Sequence, residues 1–183
     1  MRIVVSGTHA SGKSTLVSDL AGALGFAPLP DPYELVDDVG DPAGVASFVA
    51  QLEIAAERLV EPARAADVVA ERGPVDLLAY LEALAVLGRP SVGAGSMARL
   101  RLATAEAMTH VDLLVVIPLD PEVGIEVPDD EDPELREVMD ERLLELCDDE
   151  DLVGGGTRVV EVAGPPESRV AQVLAAVEAV RRG

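Results

Sequence analysis

The stretch Gly7, Thr8, His9, Ala10, Ser11, Gly12, Lys13, Ser14 and Thr15 contains the only lysine of the chain, set between a glycine and two hydroxyl residues. The other thirteen of its fourteen basic residues are arginine. A genome or habitat that favours arginine everywhere else has kept an ammonium here. Gly7, Gly12, Lys13 and Ser14 fit the spacing Gly-x-x-x-x-Gly-Lys-Ser/Thr. In that pattern glycines let the backbone turn tightly and aim N–H groups at phosphate oxygens, and a following helix adds the positive end of its dipole. Lys13 is a compact charge on a thin stem and can reach β- and γ-phosphates where a planar guanidinium fits badly. Ser14 offers a hydroxyl to Mg²⁺. The stretch from Gly7 to Thr15 is therefore expected to be a Walker A loop, with ATP and Mg²⁺ as cofactors.

Such a loop needs a strand before it and a helix after it, and both patterns are present. Residues 2–6, RIVVS, form a β-branched run suited to a buried parallel strand, and KSTLVSDLAGALG repeats Leu16, Leu20 and Leu24 at helical spacing before Gly25. Further strands are expected near 27–30, 67–71, 112–118 and 157–162. Helices are expected over 43–64, 75–87, 94–109 and in the closing PPESRVAQVLAAVEAVRR, which starts on proline and ends on arginine. The helix over 43–64 carries an apolar stripe of Phe48, Leu52, Ala55, Leu59 and Ala63, with Glu53, Glu57, Arg58 and Glu61 on the opposite face. Alternating strands and helices imply an α/β fold, a three-layer phosphate-loop NTPase architecture with a five-stranded parallel sheet, helices on both faces and a lid segment near 120–150. A length of 183 residues suits a single domain.

Composition narrows the function classes. The net charge of −20 repels phosphate backbones and anionic membranes, so no nucleic-acid or membrane partner is expected. Residues 120–151 hold sixteen of the acids against only Arg136 and Arg142, a density that predicts a mobile lid. The apolar run LLVVIPL is far too short to cross a bilayer and the start of the chain lacks a signal-peptide pattern, which points to the cytoplasm. The single Cys147 reads as an apolar filler, and His9 and His110 have no metal-binding company. Gly93 and Gly95 mark a turn.

In open parallel sheets, ligands gather past the carboxyl ends of the strands. The second strand is followed by PDPYE, with Asp31 and Glu34, the third by ERGPVD, with Glu71, Arg72 and Asp76, and the fourth by Asp120 and the acidic run. A guanine-reading Asn/Thr-Lys-x-Asp element is excluded, since the chain has no second lysine and no asparagine.

Taken with the loop GTHASGKST, the pairs DP and ERGP, the arginines before the last strand and the closing RVVEVAGPPESRV, this order resembles the phosphate-loop nucleoside and nucleotide kinases. The likeness is greatest to the deoxynucleoside kinases and to the ribosylnicotinamide kinase domain with its small predicted ATPase relatives. The resemblance implies that Glu71 helps to hold Mg²⁺ through water, that Arg72 steadies the transferred phosphoryl group and that Asp31 is the base for the acceptor hydroxyl, with Glu34 as its rival. It also implies a lid arginine on the phosphates. Arg136 and Arg142 lie six residues apart and point in different directions on a helix, so at most one faces the phosphates, and Arg136 is favoured as the nearer to the expected hinge; in the competing reading both only pair with nearby acids. The pattern departs from those kinases in its few aromatics, Phe26, Tyr33, Phe48 and Tyr80, of which Tyr33 and Phe48 could stack on an acceptor, and in the acidity of its lid. The expected activity is an ATP- and Mg²⁺-dependent kinase acting on a hydroxyl of a small nucleoside-like acceptor. The alternative is a nucleotide-binding regulatory ATPase that switches a protein partner. Self-association as a homodimer stays open.

Overall fold

The computed structural model describes residues 1–36, 44–60, 67–119 and 132–182. Within them the β-branched runs assemble into one sheet, of β1 (Arg2–Gly7), β2 (Ala27–Leu29), β3 (Val68–Glu71), β4 (Leu113–Ile117) and β5 (Arg158–Glu161), in the order β2-β3-β1-β4-β5. Every pairing is parallel. The interior strand β4 is buried along its whole length, as its unbroken apolar run LLVVI requires of a strand covered on both faces. The edge strands β2 and β5 are the more exposed ones.

Alternation along β1 divides the core in two. Ile3 and Val5 face a cluster with Leu16, Val17 and Leu20 of α1 (Lys13–Leu24) and Val173 and Val177 of α6 (Pro166–Arg182). Val4 faces the larger cluster of α2 (Val45–Val60), α3 (Pro74–Val86), α4 (Ala94–Met108) and α5 (Pro133–Cys147). Helices thus cover both faces, giving the three-layer α/β architecture expected from the sequence.

The elements lie close to their expected places, with small shifts at their ends. Asp112 precedes β4, with its carboxylate accepting the N–H of Arg2 at 2.6 Å, and Thr157 precedes β5, in a turn closed by its own N–H on the Gly154 carbonyl at 2.9 Å. The expected helix over 43–64 is a helix over Val45–Val60; Ala63 and Glu61 lie outside the described residues. Of the expected lid, residues 120–131 also lie outside them, while residues 133–147 form α5. Despite its acids, α5 buries Leu135, Met139, Leu143 and Leu146 in the larger core. Among the described residues, no helix is long and apolar enough to cross a membrane.

Register places the site. Val5 pairs with Glu71 and Gly7 with Ile117, so the end of β3 and the loop leaving β1 share the carboxyl edge of the sheet.

Candidate functional site

The loop after β1 adopts a conformation that its residue types dictate. Gly7 has φ +150°, and a Cβ there would lie 2.7 Å from the Ile117 carbonyl oxygen and 2.9 Å from Ser11 Oγ, so only glycine fits. Ala10 (φ +51°) and Gly12 (φ +90°) are also left-handed. Gly12 then caps α1, whose first helical bond runs from Leu16 N–H to the Gly12 carbonyl at 3.2 Å. The amides of Lys13, Ser14 and Thr15 therefore have no intrahelical acceptor. Two hydroxyls of the loop, Thr8 Oγ1 and Ser11 Oγ, are buried without a hydrogen-bond partner, a costly arrangement unless something else satisfies them.

Lys13 is only 4% exposed, and its Nζ donates to the Thr8 carbonyl at 2.5 Å. Burial, helped by the nearby Arg72 charge, lowers its pKa to about 7, against the pull of Asp76, Asp31 and Glu71. Asp76, in the first turn of α3, sits beneath the loop. Its Oδ1 accepts the Gly7 N–H at 2.8 Å, and its Oδ2 accepts the Ser6 hydroxyl at 2.6 Å and the Gly73 N–H at 2.9 Å. Burial pushes this carboxyl above the ordinary range, while Arg72 and the Ser6 and Gly7 donors act in the other direction. One carboxylate thus joins the start of the loop to the turn that carries Glu71 and Arg72. From sequence, an acid at this place reads as an ordinary helix-start residue, so its role was missed.

Tyr80 links the loop to α2. Its hydroxyl accepts the His9 N–H at 3.1 Å, and its ring stacks on Phe48 with centroids 4.6 Å apart and planes 10° apart. Phe48 is therefore spent inside the protein at 6% exposure, whereas Tyr33 presents half of its surface to solvent. Two arginines hold the loop from outside: Arg136 Nε donates to the His9 carbonyl at 3.2 Å, and Arg169 Nη1 donates to the Ser11 carbonyl at 2.7 Å. Arg136, expected to reach phosphates, donates to the main chain of the loop. Arg142 pairs with Glu145 on its own helix. Arg169 was not singled out from sequence, although it lies four residues before Val173 on the apolar face of α6, where a charge is out of place.

The remaining candidates meet at the sheet edge in two pairs. The Ser14 hydroxyl donates to Glu71 Oε1 at 2.7 Å. Arg72 Nε donates to Asp31 Oδ2 at 3.0 Å, while Asp31 Oδ1 accepts the Tyr33 N–H at 3.0 Å and caps the short turn Pro32–Leu35. Asp31 is thus both a cap and the partner of a buried guanidinium. Arg72 holds a left-handed backbone (φ +61°), strained for a non-glycine residue, and its guanidinium lies 5.5 Å from the Tyr80 ring centre. Glu34 is exposed on the turn. A shallow depression beside the pair is lined by Leu29, Ala55, Arg58, Leu59 and Ala70. Cys147 has its thiol pushed up to about 12 by burial and is chemically quiet.

This arrangement fits the cofactors. Positive-φ residues, unpaired helix-start amides and orphaned buried hydroxyls make a cradle for an anionic tail. No group of three or more His, Cys, Asp or Glu that could hold a metal occurs among the described residues. A hydroxyl and one carboxylate side by side, Ser14 and Glu71, suit Mg²⁺, which takes few protein oxygens and completes its shell with phosphate and water.

The sheet order and this loop define the phosphate-loop class of α/β folds. The chain belongs to the AAA domain family, whose model matches residues 2–169. No curated protein matches it by sequence. Among solved structures, it is similar to deoxyadenosine kinase from M. mycoides with bound dATP, with TM-score 0.72 at 12% identity over 97% of this chain and 100% of that one. It is also similar to thymidylate kinase from Candida albicans, with TM-score 0.66 at 16% identity over 98% and 92% of the two chains. The NadR protein in complex with NR gives TM-score 0.66 at 18% identity, covering 98% of this chain and 51% of that one. The shared feature is the fold, that of the phosphate-loop nucleoside-kinase-like proteins.

Proposed function

We propose that this protein is an ATP- and Mg²⁺-dependent kinase that phosphorylates a hydroxyl of a small nucleoside-like acceptor. The observation that carries this reading is convergence: three separate stretches of chain bring Lys13, Ser14, Glu71, Arg72 and Asp31 to one edge of the sheet. Phosphoryl transfer asks for little else, since positioning and charge cancellation dominate its catalysis.

In this reading Lys13 and the loop amides bind the terminal phosphates, with Thr8 and Ser11 as added hydroxyl donors. Ser14 and Glu71 hold Mg²⁺, which when bound neutralises phosphate charge. Arg72 faces the transferred group, and its ion pair with Asp31 keeps both at the same edge. Asp31 takes the proton of the acceptor hydroxyl; Glu34, out on the exposed turn, is farther from the buried cluster. Tyr33 offers an exposed ring beside Asp31 on which a flat acceptor can stack. The nucleoside-like acceptor is supported by the solved structures that share the fold, whose names include a deoxyadenosine kinase and a thymidylate kinase.

ADP release, measured with and without a panel of nucleosides and nucleotides, tests the proposal. Turnover that depends on an acceptor supports it. Turnover indifferent to every acceptor but altered by a protein partner would replace it with a regulatory ATPase.

A further inference from the structure

Two peptides of the loop are turned by arginines from helices far along the chain. Arg136 of α5 donates Nε to the His9 carbonyl, and Arg169 of α6 donates Nη1 to the Ser11 carbonyl and Nε to the Gly164 carbonyl at 2.8 Å. The peptides here are trans, and in a trans peptide the C=O and the N–H of one plane point in opposite directions. Holding the His9 carbonyl therefore fixes the direction of the Ala10 N–H. Holding the Ser11 carbonyl fixes that of the Gly12 N–H. Neither amide donates to a protein acceptor among the described residues, whereas the His9 N–H is taken by Tyr80. Ala10 and Gly12 are also the two left-handed positions between Gly7 and α1, an arrangement that gathers amides into an anion-binding hollow.

We infer that Arg136 and Arg169 are positioning residues, which grip the loop's carbonyls from its outer side and so preset the Ala10 and Gly12 amides toward a phosphate tail. Arg169 makes the stronger case. It is 7% exposed and sits on the apolar face of α6, where a guanidinium is costly to bury. Its two acceptors are main-chain carbonyls of the phosphate loop and of the turn before α6. A loop with free peptides would have to order them as the anion arrives, whereas a gripped loop meets it already formed. The inference rests on the loop being a triphosphate site.

The test is calorimetric titration of the full chain with inorganic tripolyphosphate, ATP and GTP in the presence of Mg²⁺, together with the melting temperature of each unliganded variant. Arg136→Ala should weaken all three ligands by a common factor of about ten, and Arg169→Ala by about thirty, as for loss of a charge-assisted hydrogen bond. The factor is common because the change acts on the phosphate tail and not on the base. In Arg136→Gln the amide nitrogen occupies the place of the arginine Nε and can still donate to His9, so most of the affinity should return without the charge. Arg169→Gln keeps the bond to Gly164 but cannot reach Ser11, and should bind as weakly as Arg169→Ala, while Arg169→Lys recovers part. Should Arg169→Ala fail to fold, the Gln and Lys variants and the partly exposed Arg136 carry the comparison. Arg136→Gln as weak as Arg136→Ala would mean that Arg136 acts by charge on the phosphates and would overturn its part in the inference. Variants that melt earlier but bind tripolyphosphate like the wild type would overturn the whole inference and leave the triphosphate site intact. A wild type that binds none of the three ligands would overturn both.

Discussion

The two sides of the candidate site, which the proposed function makes its donor side and its acceptor side, are built in different ways. The phosphate loop is held by long-range bonds from α3, α5 and α6, with Asp76, Tyr80, Arg136 and Arg169 all bonded to its main chain or to the residues entering it. The acceptor side rests on a three-residue edge strand and a short turn, with Tyr33 and Leu35 about half exposed and Asp31 holding its own turn as well as Arg72. In the proposed function a heavily bonded half and a lightly anchored half divide the work: the first recognises a tail that never changes, and the second admits and releases an acceptor.

Substitutions on the two sides should therefore fail in different ways. The largest effect is expected from Lys13→Ala, which should weaken triphosphate binding and turnover by at least about 100-fold, the scale of losing a preorganised charged donor. Asp31→Asn should leave the calorimetric affinity for ATP within about twofold while lowering kcat by about 100-fold, as for loss of a general base. Unchanged transfer in that variant would pass the base role to Glu34. Arg72→Ala should reduce kcat by about tenfold or more with a smaller change in affinity. A smaller effect is expected from Tyr33→Ala, a several-fold rise in acceptor KM with the KM for ATP unchanged. Equal effects of Asp31→Asn and Lys13→Ala on ATP affinity would break the division between the two sides.

The heavily bonded half also carries a cost. The folded pKa of Lys13, about 7, lies well below its ordinary 10.5, so below pH 7 both folded and unfolded chains hold the proton and the full penalty of the buried charge applies. Between about pH 7 and 10 the unfolded chain holds more protons than the folded one, and stability rises with pH. Lys13→Met should thus raise the melting temperature of the unliganded protein at pH 7 by about 5 °C, and the gain should shrink as pH rises. A melting temperature lowered by Lys13→Met would contradict a strained ammonium.

The conformation of the loop after β1 was largely legible in the sequence because backbone geometry dictates residue type there: Gly7 cannot carry a Cβ, Gly12 must turn left-handed, and strand and helix patterns flank them. The parallel sheet was legible for a similar reason, since β4 is an unbroken apolar run and the edge strands are not. What supports the loop was not legible. Asp76 resembles any acid at a helix start, and Arg169 any charge on a terminal helix, until packing buries both. The Phe48–Tyr80 stack depends on α2 meeting α3, which no local pattern specifies. The acids of α5 drew attention to a solvated lid, although Leu135, Met139, Leu143 and Leu146 at helical spacing already marked a core face.

Calorimetric titration of the wild-type chain with ATP and Mg²⁺ tests the central claim most directly. Saturable binding of one nucleotide per chain, lost in Lys13→Ala, is the predicted result. An absence of binding heat for ATP and for every other purine or pyrimidine triphosphate would contradict it.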